Sequence, residues 1–368
     1  MVAQASQPTV LIAPLNWGWG HATRMVPIIY EAHAVGFRVV ILTSRPLIGF
    51  FTQTCPFAKI IDDGLAPISW SVSRVGFGSY VRLALHMSKQ RFKEHQLLRK
   101  LQVELNLRLI ISDNRYGIYL KQVRSLFVTH QFAVKLPAYL SLLEPLFNRC
   151  LRLLYRRFDH IWLPDSLEHP LAGNLSMPAK NWASARFIGP LSRYMFVEED
   201  SFPHPVDVLV LLSGPEPART SWCTKLESLF RAGDYVVCFA LATEDGNRDL
   251  ISKGPFYYLH NGRSEEIKGL LKDTPRVIAR SGYSTLMDLT VMGKGALLVP
   301  TPGQSEQLYL AQWLSNHPLF VFVEEDELTL AIIHHIKEQR PTPTAKVPVP
   351  FHWKDYLKRE CEKHGYKS

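Results

Sequence analysis

The chain has 368 residues, which suits two domains at about 100–200 residues each. Hydrophobic residues make up 46% and charged residues 20%, a globular balance that excludes a disordered chain. An excess of 42 Lys+Arg over 33 Asp+Glu leaves a net charge of +9, which favours phosphorylated ligands, anionic lipid surfaces or nucleic acid as partners. Nucleic acid is disfavoured, because there is no zinc-finger spacing, no RNP-like aromatic motif and no long basic arm. No apolar run is long enough to cross a bilayer, and Met1 to Thr9 lacks the basic and apolar regions of a leader, so a cytoplasmic protein is expected. Cys55, Cys150, Cys223, Cys238 and Cys361 are scattered without paired spacing and read as free thiols.

Short β-branched runs alternate with longer segments of helical periodicity, the mark of parallel sheets covered by helices. In the first half, strands are predicted at Thr9 to Ala13, Arg38 to Thr43, Leu107 to Ser112, Ser125 to Thr129 and His160 to Leu163, with a helix at Tyr80 to Leu105. In the second, they are predicted at Val206 to Leu212, Tyr235 to Ala240, Phe256 to Leu259, Arg276 to Ala279, Ala296 to Val299 and Phe320 to Val323. The pattern implies an α/β protein of two Rossmann-like domains, residues 1–190 and 206–340. Between them, 191–205 carries an acidic cluster and prolines and reads as a solvated linker. Residues 341–368 read as a proline-rich linker and a basic helix, Trp353 to Lys363, that could return to the first domain.

The first strand runs into Pro14-Leu15-Asn16-Trp17-Gly18-Trp19-Gly20-His21 and a helix. Gly18 and Gly20 allow a sharp turn and close approach of a ligand to the backbone. A dinucleotide fingerprint fails here: Thr23 stands where its third glycine belongs, and the second strand ends at Thr43-Ser44 without a ribose-binding acid, so no NAD and no other cofactor is expected. A tight turn without ligand is the plainer alternative. His21, at the loop's exit, can take a proton near neutral pH. Asp113, in Ser112-Asp113-Asn114, and His130, in Thr129-His130-Gln131, lie beyond other strand ends, where open parallel sheets gather ligands. These three are the candidate catalytic residues. Asp113 could equally cap the next helix.

Between Leu136 and Phe158, apolar residues alternate with basic ones, Lys135 preceding them and Arg149, Arg152, Arg156 and Arg157 among them. Such a segment fits either an anionic membrane surface or a core with a solvated basic face. In the second half, Ser213-Gly214 closes a strand, and Arg219 stands at the next helix start, either to hold phosphate oxygens or as a surface charge. The most informative stretch is Arg280-Ser281-Gly282-Tyr283-Ser284-Thr285-Leu286-Met287-Asp288, where hydroxyls and free helix-start amides converge on a site for a diphosphate. Asp288 lies one turn on and could accept ribose hydroxyls, or simply favour the helix dipole. Gln304, Glu306 and Gln307, in Pro300 to Gln307, are placed to hydrogen-bond a sugar.

On Arg280 to Asp288 and Pro300 to Gln307, with the two glycine loops in order before them, the chain resembles the two-Rossmann (GT-B) glycosyltransferases. It is most similar to family 28, the MurG-like enzymes typified by the lipid-linked N-acetylglucosaminyltransferase of peptidoglycan synthesis. The resemblance implies two domains facing across a cleft. It also implies an inverting transfer from a nucleoside diphosphate sugar, with a UDP-sugar favoured, to an acceptor hydroxyl that can be lipid-linked. By it, Ser284 and Thr285 hold the diphosphate, Asp288 the ribose and Glu306-Gln307 the donor, while His21 faces the reaction centre. No Asp-x-Asp pair occurs, so no metal is expected. Epimerases and non-catalytic nucleotide-sugar binders of the same architecture are the alternatives.

Overall fold

The computed structural model describes residues 7–16, 18–65, 77–134, 138–178, 182–214, 216–242, 247–335 and 351–363. Trp17, Lys135, Pro215 and the proline-rich run Pro341 to Pro350 lie outside them. The chain divides into two compact units, Met1–Gly189 with Pro348–Ser368, and Pro190–Val347.

The first unit is built on β1 (Thr9–Ala13), β2 (Arg38–Thr43), β3 (Lys59–Asp62), β4 (Leu107–Asp113), β5 (Arg124–Val128), β6 (His160–Leu163) and β7 (Ala185–Phe187). They form a sheet in the order β3-β2-β1-β4-β5-β6-β7, and its neighbouring strands are parallel. The central strands are continuous apolar runs because both faces are covered: Val10, Leu11, Ile12, Ile110 and Ile111 are wholly buried. Helices α1 (Trp19–Ala34), α2 (Arg45–Thr54), α3 (Phe77–Leu105) and α4 (Glu144–Tyr155) supply the crossovers. The order reverses between β1 and β4, and the crevice at such a reversal is where doubly wound sheets bind ligands.

The second unit repeats the plan with β8 (Val208–Leu212), β9 (Val237–Leu241), β10 (Asp249–Lys253), β11 (Phe256–His260), β12 (Arg276–Ala279), β13 (Ala296–Leu298) and β14 (Phe320–Phe322). Their order is β10-β11-β9-β8-β12-β13-β14, parallel except for the β10–β11 hairpin, with the reversal between β8 and β12. The helices are α5 (Ala218–Phe230), α6 (Ser264–Asp273), α7 (Tyr283–Met292), α8 (Ser305–Trp313) and α9 (Leu330–His335). Trp222, Leu226 and Phe230 on α5 pack against Val208, Val210 and Phe239 of the sheet. Each large side chain so buried contributes about 1.5–3 kcal/mol relative to exposure.

One segment differs from the sequence reading. Residues 191–205 were expected to form a solvated linker, but Leu191, Ser192 and Tyr194 are buried, and a short 3-10 helix at Arg193–Met195 packs on α6 and α7. The acidic residues that suggested solvation are paired: Glu199 with Lys272, and Asp200 with Arg263 at 2.9 Å. The basic helix α10 (Trp353–Glu362) lies against α1 in the first unit. There Trp353 and Tyr356 meet Trp162 of β6, with ring centroids 6.3 and 5.7 Å apart, and Lys354 pairs with Glu31 at 3.2 Å.

Candidate functional site

At the first reversal, the turn after β1 needs a glycine: Gly18 has φ +74°, and the first turn of α1 follows with Gly20 and His21. Thr23, in place of a third glycine, donates its hydroxyl to the Gly20 carbonyl at 3.2 Å and holds that turn. Asp113 ends β4 on the other side of the reversal, directly before Asn114, whose φ of +52° turns the chain; asparagine tolerates that left-handed geometry better than most residues. His130 follows β5.

These three candidates, far apart in sequence, meet around one residue that the sequence reading missed. Arg24, one turn beyond His21 on α1, donates Nε–H to Asp113 Oδ2 at 3.2 Å and Nη2–H to Asp113 Oδ1, while its Nη1 lies 2.9 Å from His130 Nδ1. His21 Nδ1 is 2.9 Å from Asp113 Oδ2. Asp113 is fully buried and Arg24 nearly so, whereas the His21 side chain keeps 15% exposure.

Burial alone would push the Asp113 carboxyl up, but the Arg24 guanidinium and the His21 ring outweigh it and hold Asp113 below the usual carboxylate range. Asp113 is therefore an acceptor, so His21 must donate its Nδ1–H and carry a lone pair on Nε2. Burial first, then Arg24, lowers the His21 pKa against the opposing pull of Asp113, and the ring stays neutral at pH 7. A neutral imidazole oriented by a buried carboxylate is chemically able to accept a proton. Nearby, Arg115 is a buried brace, tied to Glu94 at 2.9 Å and to Asp63 at 2.8 Å, which fixes the loop after Asp113 to α3 and β3.

At the second reversal, Ser213 and Gly214 are exposed beyond β8, with Gly214 at φ +104°. Arg219, placed by its position either to hold phosphate oxygens or as a surface charge, is held here by its own chain. Its Nε and Nη2 donate to Glu216 at 2.9 and 2.7 Å, and its Nη1 donates to the Ala242 carbonyl at 2.6 Å. Glu216 also accepts from the Thr220 amide and hydroxyl, so the start of α5 already holds a carboxylate of its own chain.

The start of α7 is different. Its first turn holds no acidic residue and, unlike Glu216 at α5, no carboxylate precedes it, so the helix dipole there attracts an anion. Ser281 is buried and donates to the Gln307 carbonyl at 3.3 Å; Gly282, Ser284 and Thr285 are half-buried. A Cβ built on Gly282 would meet no protein atom within 4 Å, so a ligand can reach the backbone there.

Asp288, one turn along, accepts the Ser192 hydroxyl at 2.5 Å, and burial raises its pKa to about 6 despite the neighbouring Arg193. Ser192 and Arg193 are further residues the sequence did not single out, having been read as linker. The Nε–H of Arg193 is buried and unpartnered among the described residues. Gln304 and Gln307 are knitted into their own loop: Gln307 accepts the Thr301 amide at 2.8 Å and donates to Gln304 at 2.6 Å. These bonds shape the loop and orient the Gln307 amide, and Glu306 stands half-buried beside it in the first turn of α8. Arg280 is a brace, ion-paired with Glu325 at 2.6 Å and stacked over Trp222.

On the first unit, α4 fastens one side to the core through Tyr155 and Leu151. Its other side leaves Leu146 and Leu153 exposed, preceded by Leu142, and Arg149, Arg152, Leu153, Arg156 and Trp182 line a cavity of 280 Å³. Among the described residues, no helix is long and apolar enough to cross a membrane, and no group of three or more His, Cys, Asp or Glu is arranged to hold a metal ion.

Comparison with known proteins bears on both units. The sequence model of the glycosyltransferase family 28 C-terminal domain matches residues 261–346, a span that contains α7 and the 300–307 loop. Among solved structures, the kitacinnamycin glycotransferase is similar at 14% identity and TM-score 0.60, covering 98% of this chain and 96% of that one. Spinosyn rhamnosyltransferase SpnG, complexed with thymidine diphosphate, gives 12%, 0.57, and 96% of each chain. Acinetobacter baumannii MurG gives 10%, 0.50, and 97% and 94%. A search of curated proteins finds no match. The fold is that of the GT-B glycosyltransferases, and residues 261–346 of the second unit are similar to the family 28 C-terminal domain.

Proposed function

We propose that this chain is a metal-independent, inverting glycosyltransferase that moves a sugar from a nucleoside diphosphate sugar, with UDP-sugars favoured, to an acceptor hydroxyl. The observation that carries the reading is the His21–Asp113 pair at the reversal of the first sheet, in a chain whose residues 261–346 are similar to a glycosyltransferase domain. His21 Nε2 takes the proton of the acceptor hydroxyl while that oxygen attacks the anomeric carbon, and Asp113 offsets the charge of the resulting imidazolium. The bond from the anomeric carbon to the diphosphate oxygen breaks with its electron pair passing to the diphosphate. The first-turn amides of α7, with Ser284 and Thr285, offset that charge. One displacement without a covalent intermediate inverts the anomeric configuration. Asp288 and Ser192 are assigned to the ribose, and the 300–307 loop to the donor sugar. The base is assigned to uracil by family resemblance; the thymidine diphosphate bound to SpnG makes thymine the comparison to run.

The cationic, leucine-bearing side of α4 supports a peripheral contact with an anionic membrane, where a lipid-linked acceptor would be met. The test of the whole reading is a thermal-shift panel of UDP, dTDP and their sugars, followed by transfer assays with the stabilising donor. A ligand at 100 times its Kd raises stability by about 2.7 kcal/mol. His21→Ala is expected to keep the shift and lose at least about 100-fold in transfer rate. Full transfer by His21→Ala, or donor turnover without any acceptor, would replace this reading with another.

A further inference from the structure

Two histidines stand at the first-unit site, and nothing in their sequence positions says which is the base. The hydrogen-bond partners decide it. Arginine has only donors and stays protonated, so the His130 Nδ1 that faces Arg24 Nη1 at 2.9 Å must be a lone pair. The neutral His130 ring then carries its hydrogen on Nε2. His21 faces the opposite kind of partner, the carboxylate of Asp113, so its hydrogen sits on Nδ1 and its lone pair on Nε2.

We propose that Arg24 is a positioning residue that fixes His21 and His130 in opposite tautomers, His21 as a proton acceptor at Nε2 and His130 as a hydrogen-bond donor at Nε2, and so selects His21 as the base. One guanidinium performs both tasks because its fork spans Asp113 through Nε and Nη2 while Nη1 reaches His130. A lysine is a point charge and cannot reproduce that span. The charged and titratable groups bearing on His21 are Arg24 from its own helix α1, Asp113 from β4 and His130 from the turn after β5. Arg24 and His130 disfavour an imidazolium at His21, while Asp113 favours it.

The inference rests on His21 being the base, and its first test does not need turnover. Long-range nitrogen–proton NMR of the full chain, labelled at histidine, reports which ring nitrogen is protonated. His21 protonated on Nδ1 and His130 protonated on Nε2 are expected; either ring in the other tautomer overturns the proposal, whatever the protein's activity. The second test is the pH profile of kcat/KM. Arg24→Met removes the cation beside His21, so the His21 pKa rises and the acid limb moves to higher pH. A shift of one pH unit means a rate about tenfold lower below the limb. Arg24→Lys, which keeps the charge and is the fallback if Arg24→Met does not fold, is expected to hold the limb near its wild-type pH. A limb unmoved in Arg24→Met, or moved equally in both variants, would make Arg24 a packing residue only.

Discussion

A carboxylate can receive both hydroxyls of a ribose only while ionised, and burial raises the pKa of Asp288 to about 6. Nucleotide affinity is therefore expected to be constant above pH 7 and to fall as pH drops through about 6, where the protonated acid loses an acceptor. Calorimetric titration between pH 5 and 8 checks this, and Asp288→Asn should be weak and flat over the same range. His21, Asp113 and His130 could be nominated from sequence because all follow predicted strands, but their pairing could not. Arg24 lay inside a helical run without a motif, and the contact joining it to Asp113 spans 89 residues. Arg219 shows a related limit: a basic residue at a helix start looks the same in sequence whether or not it pairs, as here, with the Glu216 three residues before it.

At the scale of elements, the start of α5 holds the carboxylate of Glu216, while the start of α7 has no acidic residue in its first turn. Gly282 has φ −72° and ψ 143°, a conformation open to any residue, so Gly282→Ala should leave the melting temperature of the free protein unchanged. The added methyl would stand where the diphosphate approaches, and nucleotide affinity should drop at least about tenfold. Gly269 makes the opposite case, because a Cβ there would lie 1.9 Å from the Asp200 carbonyl. Gly269→Ala should cost about 1–3 kcal/mol in urea unfolding, since the 191–205 segment is packed on α6. On α4, Arg149, Arg152 and Arg156 changed together to Glu should abolish co-sedimentation with phosphatidylglycerol vesicles and leave donor binding intact, each basic residue near such a surface contributing about 1 kcal/mol. Central strands were legible because burial on both faces makes them continuous apolar runs. The partly exposed outer strand β3, the three-residue β7 and the hairpin strand β10 carry mixed patterns and were not seen.

Across the whole molecule, the double βα alternation made the two-unit plan readable, while the partners of the terminal helix were set by packing that no local pattern encodes. Trp353 is 5% exposed against Trp162, so Trp353→Ala should destabilise the first unit by about 3–5 kcal/mol. Domain-resolved hydrogen exchange would show the loss in the first sheet while the second unit's protection stays unchanged. The first unit takes its closing piece from residues 351–363, after the chain has passed through all of 190–347. During synthesis the second unit thus has its full complement of residues while β6 still waits for its cover, with Trp162 open to solvent or to a chaperone. The earlier-translated half is the later one to receive its last residues, and a chain cut short near residue 347 would leave the first unit without its closing helix.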